Sequence, residues 1–219
     1  MSELYQIYYD DSHLSKLYPF AIPYKNESLT IFFENSVIQN LVMASEADKV
    51  GVVSWKLREK LRYYIGRPRP LTEEVINSDY DVLSFTRSTK YHQMLASGER
   101  WHKGFTTCIT KIVEGIGSRC PGEVKIPIYQ NAFIAKREIY QDYVKNWLTP
   151  AMELILNDQA INKLALADSN YSNLAKKDAA TPEYLQEKIG MPWYPLAPFI
   201  LERLFSIYVH NNKINVTWL

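Results

Sequence analysis

Cysteine, glycine and long apolar segments are all scarce in this sequence. Its two cysteines, Cys108 and Cys120, are too few for a disulfide scaffold and lack the close spacing of a zinc site. Only eight glycines are present, and none of them forms a glycine-rich phosphate loop. No apolar run approaches the roughly 20 residues that span a bilayer, and the first residues lack a signal-peptide pattern. We therefore expect a cytoplasmic protein without a transmembrane segment.

Patterns typical of strands and of helices alternate along the 219 residues, which predicts an α/β fold with a small mixed sheet flanked by helices. With no repeat and no clear linker, residues 1–219 are expected to form one domain. Strands are predicted at 4–9, 49–55, 81–85, 123–133 and 214–219. Helices are predicted at 28–41, 101–116, 138–156 with a kink at Pro150, 181–189 and 199–209. The segment around Pro19 and Pro23 is expected to be irregular.

A dense run of positive charge follows the second predicted strand. A chain of net charge +1 places here six basic residues against the single acid Glu59: Lys56, Arg58, Lys60, Arg62, Arg67 and Arg69. Open α/β sheets bind ligands beyond the carboxyl ends of their strands, and arginine holds phosphate oxygens bidentately. The run thus predicts a phosphate-bearing ligand. An amphipathic helix with Leu57 and Leu61 buried and its cations solvated would also explain it. Nucleic acid is disfavoured, because the run is short and the rest of the chain is net acidic.

Several polar residues elsewhere are candidates for ligand contacts, each with a plainer alternative. Asp10 and Asp11 follow the first strand, where they contact a nucleoside or simply form a polar turn. Gln130 and Asn131 lie between apolar neighbours, as ligands of sugar hydroxyls or as strand caps.

Charged residues in two other segments are harder to interpret. Glu202 and Arg203 interrupt an apolar helix, and burying charge is costly unless it is paired or faces a ligand. Glu202 is then a base or an acceptor-hydroxyl ligand and Arg203 a phosphate contact, or the two form a structural ion pair. The triplet Asp79-Tyr80-Asp81 has the form of a motif for Mg²⁺ or Mn²⁺, but it precedes a strand, as a strand-entry turn does.

Four short segments, in order, resemble one family. They are Thr30-Ile-Phe-Phe-Glu-Asn-Ser-Val-Ile-Gln39, Ala47-Asp-Lys-Val-Gly-Val-Val-Ser-Trp-Lys-Leu-Arg58, Tyr129-Gln-Asn-Ala-Phe-Ile-Ala-Lys-Arg-Glu-Ile-Tyr-Gln-Asp-Tyr143 and Pro198-Phe-Ile-Leu-Glu-Arg-Leu-Phe205. Together they are similar to the small bacterial glycosyltransferase-like domains of capsule and lipopolysaccharide biosynthesis, which carry a His-Tyr-Arg-Arg motif after a strand.

The resemblance implies a GT-A-type fold that transfers a sugar from a nucleotide-sugar donor to a surface glycan. The donor diphosphate would be bound by Lys56, Arg58 and Arg62, beside Trp55, either with a divalent cation or through the positive charges alone. Lys56 and Glu202 would be the catalytic residues.

The family motif is altered in this chain. Ser54-Trp55-Lys56 stands where His-Tyr-Arg would be, so the positive charge remains and the imidazole is missing. The alternative is therefore a non-catalytic nucleotide-binding, glycan-binding or assembly protein that keeps the fold. The enzyme hypothesis requires Lys56, Asn131 and Glu202 to line one pocket.

Overall fold

The computed structural model describes residues 1–65, 70–85, 93–124, 127–171 and 180–219, without the side chains of 62–65. These residues form an α/β structure in which one mixed sheet of six strands is flanked by helices. The strands are β1 (Ser2–Tyr8), β2 (Ile22–Lys25), β3 (Lys49–Ser54), β4 (Val82–Ser84), β5 (Phe133–Lys136) and β6 (Val216–Trp218). The helices are α1 (Glu34–Ala44), α2 (Leu57–Ile65), α3 (Glu73–Asn77), α4 (Met94–Trp101), α5 (Phe105–Gly115), α6 (Arg137–Tyr143), α7 (Thr149–Asn157), α8 (Gln159–Ala165), α9 (Pro182–Ile189) and α10 (Ala197–Asn211).

The sheet has the strand order β2-β1-β3-β5-β4-β6. Strand β1 runs parallel to β2 and β3, and β6 runs parallel to β4, whereas β5 is antiparallel to both of its neighbours. The turn before β5 therefore lies at the same edge as the ends of the other strands. We call this the carboxyl edge.

Apolar side chains cover both faces of the sheet. The larger core joins α1, α5, α6, α7, α8 and α10 to one face, and within it the rings of Phe133 and Phe205 stack 3.9 Å apart. The smaller core packs α2 and α3 on the other face through Leu57, Leu61 and Ile76. Helix α2 is thus amphipathic, with Leu57 and Leu61 buried, as the alternative explanation of the basic run predicts. Its charged residues nevertheless lie beside the carboxyl edge.

The prediction of an irregular segment around Pro23 is wrong, because Ile22–Lys25 is strand β2. It pairs with β1 alone and forms one edge of the sheet. Proline lacks the backbone donor that a central strand needs, but an edge strand has one side without a partner. Position in the sheet therefore explains why this proline is tolerated.

Two predicted helices are shorter or divided. The helix predicted from residue 28 begins only at Glu34, because Phe33 has a φ of 52° and the Thr30 hydroxyl accepts a hydrogen bond from the Phe32 amide at 3.2 Å. The helix predicted at 101–116 is divided, because α4 ends at Trp101 and α5 begins only after Gly104, which has a φ of 86°. As a result Trp101, expected in the buried stripe, is 44% exposed.

The strand predicted at 123–133 is also wrong in position, since β5 begins at Phe133; residues 125–126 lie outside the described part. The helix predicted at 138–156 is divided by a π-helical turn at Val144–Leu148, directly before α7, and Pro150 lies in the first turn of α7. Among the described residues, no helix is long and apolar enough to cross a membrane.

Candidate functional site

The carboxyl edge brings together polar residues that are far apart in the sequence. Tyr9 and Asp10 follow β1, Asn26 follows β2 and Lys56 follows β3, while Asn131 precedes β5. This is the edge at which open α/β sheets bind ligands. The residues form two regions of opposite charge, which are described in turn.

The first region, the cationic strand end, consists of Trp55 and the residues around it: His13, Lys16, Lys56 and Arg58. The indole is only 9% exposed and stacks on the His13 ring at 3.8 Å with an interplanar angle of 9°. The ammonium groups of Lys16 and Lys56 lie 4.3 and 5.0 Å from the indole centre. Such cation–π contacts hold positive charge on an aromatic face. Trp55 therefore organises the cations and offers little free surface for stacking on a sugar.

Arg58 is held against the protein by two contacts. Its Nη2 donates to the Leu17 carbonyl at 2.8 Å, and its guanidinium lies 4.6 Å from the centre of the Tyr18 ring. A shallow depression of about 220 Å³ lies between it and Trp55, and is lined by Ser15, Lys16, Trp55, Arg58 and Glu59. Small anions are the ligands that this setting suits. The Arg62 side chain, Arg67 and Arg69 lie outside the described residues.

An imidazole is present beside this strand end, although the strand motif lacks one. It belongs to His13, in a short 3₁₀ helix at Asp11–Lys16. Partial burial and the neighbouring charges of Lys16 and Lys56 lower its pKa below the ordinary value. His13 is therefore a neutral group at pH 7.

The two aspartates predicted to contact a nucleoside already have partners. Asp10 caps the 3₁₀ helix by accepting from the Ser12 amide at 2.9 Å, which lowers its pKa. Asp11 forms an exposed ion pair with Lys25 at 2.8 Å. Both lie at the carboxyl edge, but these contacts give them a structural function there.

The second region, the carboxylate cluster, consists of Tyr9, Glu34 and Glu202. Tyr9 donates its hydroxyl hydrogen to Glu34 Oε1 at 3.3 Å. Burial raises the pKa of the Glu34 carboxyl, and the Glu202 charge raises it further, while Lys60, Tyr9 and the nearby Ser54 hydroxyl oppose that rise. Burial beside Glu34 also raises the Tyr9 pKa well above its ordinary value. A neighbouring like charge disfavours the ionised form of the Glu34 carboxyl in this way.

Glu202 and Arg203 lie together on α10, and their nearest charged atoms are 4.0 Å apart. The Arg203 side chain is 11% exposed and that of Glu202 is 23% exposed. Arg203 donates to the Phe199 carbonyl at 2.8 Å, and its guanidinium lies 5.2 Å from the Phe105 ring centre. This distance is too long for a strong ion pair, so the charge of Glu202 is not neutralised by Arg203 and can act on Glu34.

Two buried donors beside the carboxylate cluster have no hydrogen-bond partner among the described residues. They are Nδ2 of Asn26, a residue that is 7% exposed, and Nε of Arg203. The Asn26 amide lies close enough to the Tyr9 hydroxyl to lower its pKa against the larger effect of burial, but the two groups do not reach hydrogen-bond geometry. A buried donor without a partner costs about 1–3 kcal/mol. Such donors suit a ligand that brings hydrogen-bond acceptors.

The turn before β5 adds backbone strain to this region. Gln130 and Asn131 have φ values of 61° and 52°, in the left-handed region that side chains other than glycine rarely adopt. Asn131 Nδ2 donates to Asn35 Oδ1 at 3.4 Å, which ties the turn to the residue after Glu34. Phe33, on the other side of Glu34, also has a positive φ, of 52°, with a ψ of −120°. Strain of this kind concentrates at binding and catalytic sites.

The predicted metal triplet lies at the opposite edge of the sheet, since Asp79 and Asp81 precede β4. Asp81 pairs there with Lys136 at 2.7 Å. Among the described residues, no group of three His, Cys, Asp or Glu side chains is arranged to hold a metal ion. The triplet is therefore separated from both regions of the carboxyl edge, and its assignment to Mg²⁺ or Mn²⁺ stays a prediction without structural support.

The enzyme hypothesis requires Lys56, Asn131 and Glu202 in one place. Asn131 contacts Asn35, the residue after Glu34, and Glu202 is close enough to Glu34 for its charge to act on it. Lys56 is connected less directly, through its amide, which donates to the Ser54 hydroxyl at 3.3 Å. Glu34, Tyr9 and Asn26 were not predicted as site residues. Glu34 is part of the aromatic segment 30–39, but a lone carboxylate within a predicted helix gives no sign of burial.

The chain matches no protein-family model, and neither the curated proteins nor the solved structures include a significantly similar chain. The site itself is consequently the basis for any statement about function.

Proposed function

We propose that this chain is a GT-A-type glycosyltransferase-like domain that transfers a sugar from a nucleotide-sugar donor to a hydroxyl of a surface glycan. One observation carries the proposal: a cationic strand end and a carboxylate cluster adjoin at the carboxyl edge of a mixed sheet. Glycosyl transfer needs both kinds of group, because positive charge stabilises the departing diphosphate and a carboxylate activates the attacking hydroxyl.

The donor diphosphate is assigned to the cationic strand end. Lys16 and Arg58 line a shallow depression beside Glu59, and Lys56 lies against the Trp55 indole that forms one of its walls, which together suit phosphate oxygens. Asn131 and Glu202 are assigned to sugar hydroxyls on the other side of Ser54. Because the Asp79 triplet lies at the opposite edge, stabilisation of the leaving group by lysine and arginine is favoured over a metal held by that triplet.

A non-catalytic protein that binds nucleotides or glycans is the second candidate. Lys16 contacts Trp55, and Arg58 contacts Tyr18 and the Leu17 carbonyl. These contacts restrain the side chains that would have to bind a phosphate, which favours the second candidate. It is favoured also by the missing imidazole in the strand motif.

A thermal-shift screen of UDP-, GDP-, CMP- and dTDP-sugars, with and without Mn²⁺, tests the proposal. A ligand of the native state at 100 times its Kd stabilises the protein by about 2.7 kcal/mol. We expect one class of nucleotide sugar to raise the melting temperature, and Lys56→Ala to reduce that shift. Lys111→Ala, which removes an exposed lysine of α5, is the matched control and should leave the shift intact.

The two candidates separate in a second step. Release of nucleoside diphosphate from the bound donor, with a saccharide or water as acceptor, supports transfer, whereas binding without any release supports the non-catalytic protein. Absence of a shift with every nucleotide sugar would contradict both donor-binding hypotheses.

A further inference from the structure

We propose that Glu34 is the general base of this reaction, and that it acts on a saccharide hydroxyl held by the buried donors around it. This inference rests on the proposed function and gives the carboxylate cluster a specific chemistry. It also changes the interpretation of Glu202, which becomes a positioning residue that sets the proton affinity of Glu34.

The location of Glu34 suits proton transfer. It begins α1 at the carboxyl edge, and the residue is partly exposed, which places its enclosed carboxyl close to the surface. Its Oε1 accepts the Tyr9 hydroxyl at 3.3 Å and the Ser54 hydroxyl also acts on the carboxyl, so that both groups orient it at this edge. A general base must come within hydrogen-bond reach of the hydroxyl that it deprotonates.

The surroundings of Glu34 indicate a ligand rich in hydroxyl groups. Asn26 Nδ2 lies on the Tyr9 side of the carboxylate cluster and Arg203 Nε on the Glu202 side, and both are buried donors without a partner among the described residues. Saccharide hydroxyl oxygens accept hydrogen bonds and would satisfy both of them. Pockets that bind small molecules commonly rely on a few convergent polar groups of this kind.

The backbone on both sides of the site supports a functional arrangement over a merely structural one. Phe33, immediately before Glu34, has a positive φ of 52° with a ψ of −120°, and Asn131 has a positive φ of 52° where it contacts Asn35. Each such residue costs on the order of 1–2 kcal/mol, and strain of this kind persists where the surrounding structure imposes it. The two strained segments hold Glu34 between them.

The proposed step is a single displacement. The acceptor hydroxyl gives its proton to the Glu34 carboxylate while its oxygen forms a bond to the anomeric carbon of the donor sugar. The bond from that carbon to the diphosphate oxygen breaks, and its electron pair leaves with the nucleoside diphosphate, beside Lys56 and Arg58. Glu34 then returns its proton to water.

Four ionisable side chains face Glu34 from different elements: Tyr9 after β1, Lys60 on α2, Tyr140 on α6 and Glu202 on α10. They act on its pKa in different directions, since Glu202 raises it and both Tyr9 and Lys60 lower it. The base must be ionised to accept a proton, so activity should decline as the pH falls through this pKa. Variants of the neighbours should therefore move the acidic limb of the pH profile in opposite directions.

The test measures release of nucleoside diphosphate from whichever nucleotide sugar raises the melting temperature, with water or glucose, galactose and N-acetylglucosamine as acceptors. Glu34→Gln keeps the size of the side chain and should lower kcat about 10²- to 10⁴-fold, because that is the usual contribution of a general base. The donor-induced thermal shift should be unchanged. Glu46→Gln, which replaces an exposed carboxylate before β3, is the control and should keep full activity.

The pH profiles distinguish a base from a structural carboxylate. Tyr9→Phe should move the acidic limb to higher pH, and Glu202→Gln should move it to lower pH. If Glu34→Gln releases nucleoside diphosphate as fast as the unaltered protein and still binds the donor, Glu34 is not the base, and the proposed function stands. If no nucleotide sugar binds, the proposed function fails and takes this inference with it.

Discussion

The cationic strand end and the carboxylate cluster share one edge of the sheet, but their polar groups are satisfied to very different degrees. At the cationic strand end, Lys16 and Lys56 lie over the Trp55 indole and Arg58 bonds a carbonyl. In the carboxylate cluster, Glu34 is crowded by Glu202, and two donors lack partners among the described residues. The difference fits the proposed function, in which the cationic strand end is assembled in advance and a ligand completes the carboxylate cluster.

Removal of Trp55 should have the largest effect on stability. The indole is buried and holds His13, Lys16 and Lys56. Trp55→Ala should cost about 3–5 kcal/mol, as truncation of a buried tryptophan usually does. Urea unfolding measures the loss, and Trp101→Ala, at an exposed tryptophan, should cost far less. Equal losses in both variants would show that Trp55 does not organise the cationic strand end.

Substitution of Asn131 should have an intermediate effect. Asn131→Ala removes the hydrogen bond to Asn35 and places a less suitable residue at a φ of 52°. We expect a loss of about 1–3 kcal/mol in urea unfolding. Asn131→Gly removes the same hydrogen bond but adopts that φ easily, so it should lose less. An alanine variant as stable as the unaltered protein would contradict the strained geometry of this turn.

Changes at Arg58 should have the smallest effect on stability. Its hydrogen bond and its contact with Tyr18 lie at an exposed position, so Arg58→Ala should cost about 1 kcal/mol or less. Its effect on donor affinity should be clearer, and Arg58→Lys should restore only part of it, because lysine lacks the planar fork of arginine. Titration calorimetry with the donor measures this. Unchanged affinity in both variants would remove Arg58 from the donor site.

The sequence predicted the α/β class, most strands and the last helix. The apolar patterns behind these predictions, such as the strand at 49–55 and the helix at 199–209, are set by burial in the sheet and the core. It also selected candidates in four distant segments, which the structure brings towards one edge. It could not show that Asp10 and Asp11 serve as a cap and an ion-pair partner, since those contacts depend on the positions of Ser12 and Lys25.

Glu34 was missed for a related reason. The pattern of residues 28–41 is that of an ordinary amphipathic helix, and nothing local indicates that the helix starts late. The pKa of its carboxyl depends on burial and on Lys60, Glu202 and Tyr9, which come from three other segments of the chain. A pKa set by tertiary contacts has no signature in a short sequence window.

The most direct test of the carboxylate cluster is the pKa of Glu34, measured by NMR through the carboxyl carbon of ¹³C-labelled glutamate, with Glu34→Gln to assign the signal. The arrangement predicts a value above the ordinary glutamate pKa of about 4.3, and a decrease in Glu202→Gln, because the neighbouring charge is removed. A Glu34 that titrates at or below the ordinary value, and does not respond to Glu202→Gln, would contradict the account.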